Sequence, residues 1–430
     1  MYTETYDLTR PGEMPAVISK SKNLWVTLGV VLTIFFNNET LANNLSRSSV
    51  QPMMIAALYV IALFFLMLSM RKIKLQSGSL LAMLGIVLTL GLSFLIDNIS
   101  FQTTNAYSLL LMAALAGFAL SQVCSLEHYM RIYCNTLVVI AAASLLFTYV
   151  FKGVVESMPS LFPVATNSAR INFTNVYVTY VRRSGTEQLR NYGIFREPGV
   201  YAIFLIVALG FLMQQKKAHP AQYGILALAL LTTFSLPGYL AVFVLLVSKI
   251  RTIGNRRLKN TLIAFSILLI FIFALLILYT GGGDNALSGV FEKLNSNSSS
   301  FQYRVESLLR NLHVWGKSPV FGNGIISGNE LLQNYPMILY PLKTYQNTSS
   351  FTAMLVFFGA GFTLIIWALL FRFCRNFKGS LLFFAALAVV LNSQMLIYNT
   401  IIYTLVLYGA LAVRRPAGAA GQQPAPAALL

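Results

Sequence analysis

The chain has 430 residues, 57% hydrophobic and only 10% charged, which excludes a soluble domain and marks a polytopic membrane protein. Its net charge of +18 is no argument for nucleic acid, because Lys and Arg of membrane proteins collect in cytoplasmic loops and set orientation. Cys124, Cys134 and Cys374 lie in or beside apolar runs at no metal-like spacing, so neither a disulfide framework nor a zinc site is indicated.

Residues 1–23 are polar and carry Glu4, Asp7 and Glu13, unlike a cleavable signal peptide. The first apolar run is therefore expected to act as both address and anchor. A crossing needs about 20 apolar residues. Such runs occupy 24–36, 53–70, 80–96, 107–126 and 132–151, then 200–213, 223–247, 262–279, 351–371 and 381–413. The clusters at Lys20/Lys22, Arg71/Lys72/Lys74, Arg131, Lys216/Lys217, Lys249 to Lys259, Arg372/Arg375/Lys378 and Arg414/Arg415 are expected to be cytoplasmic. Between Lys217 and Lys249 both flanks are basic, so the interval crosses an even number of times, with Pro237-Gly238 supplying the break. The same parity holds between Lys378 and Arg414, with Asn392-Ser393-Gln394 as the outer turn.

The expected fold is all-α and polytopic, with about 12 transmembrane helices and both termini cytoplasmic. Residues 1–23 form a cytoplasmic segment, 24–413 the membrane domain, and 414–430, rich in Ala, Pro, Gly and Gln, a disordered tail. Two long segments, 152–197 and 281–350, are left on the outer face and are expected to be partly helical. No internal repeat points to an inverted-repeat transporter.

The first outer segment holds Lys152, Arg170, Arg182, Arg183, Arg190 and Arg196 against Glu156, Glu187 and Glu197. Long loops escape the orientation rule, but a basic excess on this side asks for a purpose. The planar guanidinium suits phosphate and diphosphate oxygens, so one reading is an anionic ligand held at the outer surface. Lipid headgroups, or the glutamates of the same loop, are the other. Arg190 to Gly199 closes this segment and leads directly into an apolar run, which puts charge at the lip of a membrane helix.

The second outer segment contains a predicted helix at 300–316, followed by Lys317-Ser318-Pro319-Val320-Phe321-Gly322-Asn323-Gly324. Helical spacing puts Glu306, Arg310 and His313 on one face, where Glu306 and Arg310 suit a plain ion pair. Arg304 points elsewhere and is the freer cation. Gly322 and Gly324 indicate a tight turn whose backbone can approach a ligand closely. No Ser-His-Asp set, Walker loop, metal triad or dinucleotide fingerprint appears, so any chemistry must run on arginines, a few carboxylates and orientation. No cofactor or metal is expected.

Three features together resemble the bacterial O-antigen polymerase and ligase superfamily of membrane glycosyltransferases. They are Arg190-x-x-Gly193-x-Phe195-x-Glu197-Pro198-Gly199 before a helix, Thr232-Thr233-Phe234-Ser235 with Gly238, and Arg304 with Trp315 ahead of Ser318-Pro319-x-x-Gly322-x-Gly324. The resemblance spans roughly 152 to 371. Where ligases of that superfamily carry a histidine-rich segment, this chain reads Thr344-Tyr345-Gln346-Asn347-Thr348, which favours a polymerase.

The resemblance implies a metal-independent enzyme at the outer face of the bacterial inner membrane. It would join oligosaccharide repeat units carried on undecaprenyl diphosphate into O-antigen, capsule or exopolysaccharide chains. Its partners would be the lipid-linked donor and acceptor and the membrane lipids, with a chain-length regulator and the repeat-unit flippase as candidate protein partners. In that reading Arg190 and Arg304 hold the donor diphosphate, while Arg196, Arg310, Arg182, Gly322 and Gly324 are supporting contacts. Glu197 activates the acceptor hydroxyl, with Glu306 second, unless Glu197 is only the counter-ion of Arg196 or Arg190. The rivals are a ligase acting on lipid A-core and a transporter for an anionic lipid-linked sugar. The transporter is disfavoured by the nearly uncharged interiors of the predicted spans.

Overall fold

The computed structural model describes residues 20–44, 52–70, 72–73, 75–157, 164–166, 172–176, 178–182, 190–215, 218–252, 256, 260, 299–340 and 347–411. The apolar run expected at 262–279 lies outside the described residues, as do the segments 1–19 and 412–430.

Every other apolar run forms a helix. In chain order these are α1 (Lys20–Phe35), the short α2 (Leu41–Asn44), α3 (Pro52–Ser69), α4 (Ser77–Ile96), α5 (Phe101–Val123) and α6 (Leu126–Leu145). α6 continues as a wider π-helical turn, Leu146–Val150, and the short α7 (Lys152–Ser157) follows. After a small sheet come α8 (Pro198–Gln214), α9 (Pro220–Leu231), α10 (Leu236–Thr252), α11 (Ser299–Trp315), α12 (Ile325–Asn334), α13 (Ser350–Cys374), α14 (Ser380–Leu391) and α15 (Thr400–Ala410). Among the described residues, five helical stretches are long and apolar enough to cross a membrane: Pro52–Ser69, Ser77–Ile96, Phe101–Val123, Leu126–Val150 and Ser350–Cys374. Shorter apolar helices accompany them at Leu24–Phe35, Pro198–Gln214, Pro220–Leu231, Leu236–Ile250, Ser380–Leu391 and Thr400–Ala410. The chain is thus a helical membrane protein.

Burial sorts these helices. α8 is apolar on all sides and buried from Val200 to Leu212, as a helix without a polar face must be in the middle of a bundle. α15 is buried along its whole length in the same way. α3 and α4 instead expose Leu58, Phe65, Leu81, Leu88 and Leu95, an apolar outer surface suited to lipid. Without a hydrophobic drive between helices in lipid, small residues let backbones approach. A Cβ on Gly117 of α5 would lie 2.7 Å from the Thr404 nitrogen of α15, so the helices meet backbone to backbone there.

The segment 152–197, expected to be partly helical, opens with α7 and then adds strands that were not expected. It carries a three-stranded antiparallel sheet, β1 (Val164–Thr166), β2 (Asn172–Asn175) and β3 (Tyr180–Arg182), in that spatial order. Phe173, Thr174, Tyr180 and Val181 are aromatic or β-branched and buried, which favours strand over helix. Val176 and Val181 pack on Val155 and the edge of Phe147, tying the sheet to the end of α6.

The hairpin expected between Lys217 and Lys249 is present, but its turn is Thr232–Ser235, and Pro237-Gly238 fall in the first turn of α10. A proline is tolerated there because the first N–H groups of a helix lack intrahelical partners. The turn around Asn392-Ser393-Gln394 joins α14 to α15 as expected.

The connections that parity assigns to one side meet at one end of the bundle. Leu41 N donates to Ile194 O, Asn191 N to Thr232 O, Asn37 Nδ2 to Asn399 Oδ1 and Ser327 N to Asp97 Oδ1. The opposite end is linked by Gln214 to Lys378, Lys249 to Met213 and Tyr408 to Cys124.

α13 is broken at Gly359, whose φ of 76° and ψ of −179° no residue with a Cβ adopts readily. Backbone breaks at membrane depth survive only where protein satisfies the freed groups. Here the turn after α11 and Ser93 of α4 do so. Asn323 N donates to Val356 O (2.7 Å), Gly324 N and Ser93 Oγ both to Phe357 O (3.1 Å each), and Ala360 N to Pro319 O (2.8 Å).

Candidate functional site

The stretch Arg190–Gly199 is built from its own motif residues. Gly193 turns the chain with φ +55°, and a Cβ there would press on the Tyr201 ring at 2.9 Å. Phe195 stacks on Tyr201 (centroids 5.4 Å) and meets Phe204 (4.2 Å), pinning the lip to the buried α8. Pro198 then opens α8 at a position where no N–H is missed. Asn191 is a buried hub. Its Nδ2 donates to Ser144 Oγ (3.1 Å) and Thr232 Oγ1 (3.2 Å), and its Oδ1 accepts from Gly193 N (3.0 Å).

Arg190 is half-buried and partly committed. Its Nε donates to Thr233 O (3.0 Å) and its Nη2 to Phe234 O (3.1 Å), closing the α9–α10 turn. Phe234 sits there at φ 50°, left-handed backbone that an aromatic residue adopts only when its surroundings hold it. A guanidinium has five N–H donors, so three of Arg190's remain for another acceptor. Burial pulls Arg190 below its ordinary pKa, with Tyr192, Tyr239 and Glu197 opposing and Arg182 adding to the fall. Arg182, on β3, donates from Nη1 to Tyr192 Oη (3.3 Å).

Arg196 turns toward the connection between α1 and α2 instead. Its Nε lies 2.6 Å from Glu39 Oε2, and its backbone N donates to Glu39 O (3.0 Å). Burial pulls Arg196 down, but Glu39 and Glu197 outweigh it and hold its proton more firmly than usual. Glu197 is exposed at the mouth of α8, where its charge reaches Arg190, Arg196 and Arg304. Among the described residues no hydrogen bond or ion pair ends on Arg304, and its one opposing charge is Glu197. Burial lowers the Arg304 pKa and Glu197 opposes that fall. Glu197, at the start of α8, thus lies within electrostatic reach of Arg190, of Arg196 and of Arg304 on α11.

Other candidate residues have structural work. Arg310, expected as a supporting ligand contact, is 2% exposed, paired with Glu306 (3.2 Å) and donating to Leu332 O (3.0 Å). Glu306, the second candidate base, accepts from Ile338 N (2.6 Å), Leu339 N (3.0 Å) and Tyr340 N (3.2 Å). Burial pushes the Glu306 carboxyl up, but these three N–H groups and Arg310 outweigh it and hold it below its ordinary range. Gly322 and Gly324 do allow a close backbone approach, yet what approaches is protein. A Cβ on Gly322 would run into the Phe357 carbonyl, and one on Gly324 would lie 2.5 Å from the Asp97 carboxyl carbon. Asp97 itself caps α12, accepting from Ile326 N (2.9 Å) and Ser327 N (2.8 Å). Asn347, within the segment that lacks the ligase histidines, accepts from Asn311 Nδ2 (3.2 Å) and Ser307 Oγ (3.4 Å), tying the approach to α13 onto α11.

Glu39 and Asn191 are two further residues of this region, not among those expected from sequence. Glu39 was detectable as a lone carboxylate in Asn37-Asn38-Glu39-Thr40, a short polar connection between two apolar runs. Asn191 carried no such signal, since its importance comes from partners at positions 144 and 232. Among the described residues no cluster of His, Cys, Asp and Glu could hold a metal ion. Compared with known proteins, the chain matches no family model, no curated protein and no solved structure.

Proposed function

We propose that the protein is a membrane glycosyltransferase that polymerises oligosaccharide repeat units carried on undecaprenyl diphosphate at the outer face of the inner membrane. The observation that carries this reading is that three arginines, Arg190, Arg196 and Arg304, lie within electrostatic reach of the exposed Glu197 at the start of a buried helix. Arg304 has no hydrogen-bonded partner among the described residues, and Arg190 keeps donors in reserve. Both can turn toward diphosphate oxygens and stabilise the charge that develops as the lipid diphosphate leaves. A 17-residue α8 spans about 25 Å, comparable with a hydrocarbon core of about 30 Å, and in this reading its charged lip lies near headgroup depth, where a lipid diphosphate sits.

In the reaction, the anomeric carbon of the growing chain passes from its diphosphate to a hydroxyl of the incoming lipid-linked unit. Glu197 takes the hydroxyl proton, and the undecaprenyl diphosphate departs with the electron pair of the broken bond. Twelve crossings, with the termini cytoplasmic, belong to the same proposal. The test supplies purified protein with lipid-linked repeat units and no nucleotide. Ladders of lengthening product support the reading. Product moved only to lipid A-core would make it a ligase, and uptake of unpolymerised units into vesicles would make it a transporter.

A further inference from the structure

We infer that Glu39 is a positioning residue of this site: it neutralises Arg196 and thereby leaves Glu197 as the displaceable counter-ion of Arg304 and Arg190. The inference rests on the proposed function only for the diphosphate nature of the ligand.

Five observations carry it. The Glu39 side chain is 2% exposed and its Oε2 lies 2.6 Å from Arg196 Nε; burial pushes the carboxyl up and Arg196 opposes that rise, so the charge of Glu39 depends on this partner. The contact is built in by the backbone: Arg196 N donates to Glu39 O, Leu41 N to Ile194 O, and Thr40 bridges Phe195. Glu39 is also held from behind, since its N donates to Asn37 Oδ1 (3.2 Å) and Asn37 Nδ2 donates to Asn399 Oδ1 (3.3 Å) across to the α14–α15 turn. Asn38 Nδ2 donates to Glu39 Oε1 (3.3 Å), while Oε2 has the ion-pair contact with Arg196 and no hydrogen-bond donor among the described residues. Glu197, next to Arg196 in sequence, is exposed instead.

The two carboxylates around Arg196 therefore have different work. Glu39 is buried and fixed; Glu197 is exposed, and its charge reaches Arg304 and Arg190. If Arg196 were not already neutralised, it would draw Glu197 to itself. An incoming diphosphate would then meet three cations and a misplaced carboxylate. With Glu39 present, the ligand need only compete with the charge of Glu197 at Arg304, and Glu197 stays free for the acceptor hydroxyl.

The experiment measures binding of inorganic pyrophosphate to the full-length purified protein at low ionic strength, alongside thermal melting. Glu39→Gln should tighten pyrophosphate binding about 3- to 10-fold, because one positive charge of the site is unmasked. In the ladder assay the same variant should lower KM for the lipid-linked donor while lowering kcat. The double variant Glu39→Gln/Arg196→Gln, which removes both partners, should return pyrophosphate affinity to near the wild-type value. A merely structural Glu39 would give weaker binding that deletion of Arg196 does not restore, and that result overturns the inference.

If the wild-type protein binds no pyrophosphate, the diphosphate reading falls and the melting cycle decides the inference. Arg196→Gln alone, leaving a buried carboxylate unpaired, should melt lower than the double variant. Additive losses would show that Glu39 and Arg196 are not a pair and would sink the proposal.

Discussion

Arg304→Ala and Arg190→Ala should separate catalysis from architecture, because the two arginines are held so differently. Among the described residues Arg304 makes no hydrogen bond, so its removal should change stability by no more than about 0.5 kcal/mol. Arg190 donates to Thr233 O and Phe234 O, and each charge-assisted bond contributes about 1.5–3 kcal/mol. Its loss also leaves the left-handed Phe234 unsupported, so Arg190→Ala should cost about 3 kcal/mol or more. For activity, removal of one donor from a departing oxyanion costs about 10²–10³-fold in rate, and both variants should show that loss. Arg304→Lys should recover part of the rate, since a point charge suffices there. Arg190→Lys should recover less, since an ammonium cannot reproduce the planar fork on two carbonyls. The assay is ladder formation from lipid-linked repeat units, with thermal melting of the same preparations. An Arg304→Ala variant that polymerises at the wild-type rate, or melts as low as Arg190→Ala, would refute this division of roles.

Three other outcomes are expected. Glu306 has a folded-state pKa held below its ordinary value, so its stabilisation is complete above the ordinary carboxylate range and is lost as pH falls through the folded value. Glu306→Gln should therefore be less stable than wild type by about 3–5 kcal/mol at neutral pH, with the gap closing below about pH 4; a gap independent of pH in melting curves would contradict this. Gly359→Ala should cost at least about 1–3 kcal/mol from its backbone conformation alone, and more because a Cβ would meet the Val320 carbonyl. Protease cutting near Phe321 should rise in that variant, and a normal digestion pattern would mean that the inserted turn does not depend on the break. Cys124, Cys134 and Cys374 are all buried and should resist a water-soluble maleimide until the protein is denatured, as mass spectrometry can check.

Hydropathy and the placement of basic residues were enough to locate the apolar helices among the described residues and to pair their ends. Those properties are local: an apolar run of sufficient length has few alternatives in lipid, and basic flanks are countable along the chain. The motif around Arg190 was legible for the same reason, since Gly193, Phe195 and Pro198 do their work within a few residues of one another.

Tertiary structure alone decided which charged groups are committed and which are available. Arg304 and Arg310 lie on one helix, six residues apart in sequence, and nothing in their spacing tells that Arg310 is closed off by Glu306 and Leu332 while Arg304 faces Glu197. The turn at Gly322 and Gly324 read as a place for a ligand, but it fills a break in a helix some thirty-five residues later. Glu39 reaches Arg196 across more than a hundred and fifty positions. A charge is defined by what surrounds it. In a bundle built mostly of apolar helices, those surroundings come from distant turns brought to one end, and no local pattern encodes them.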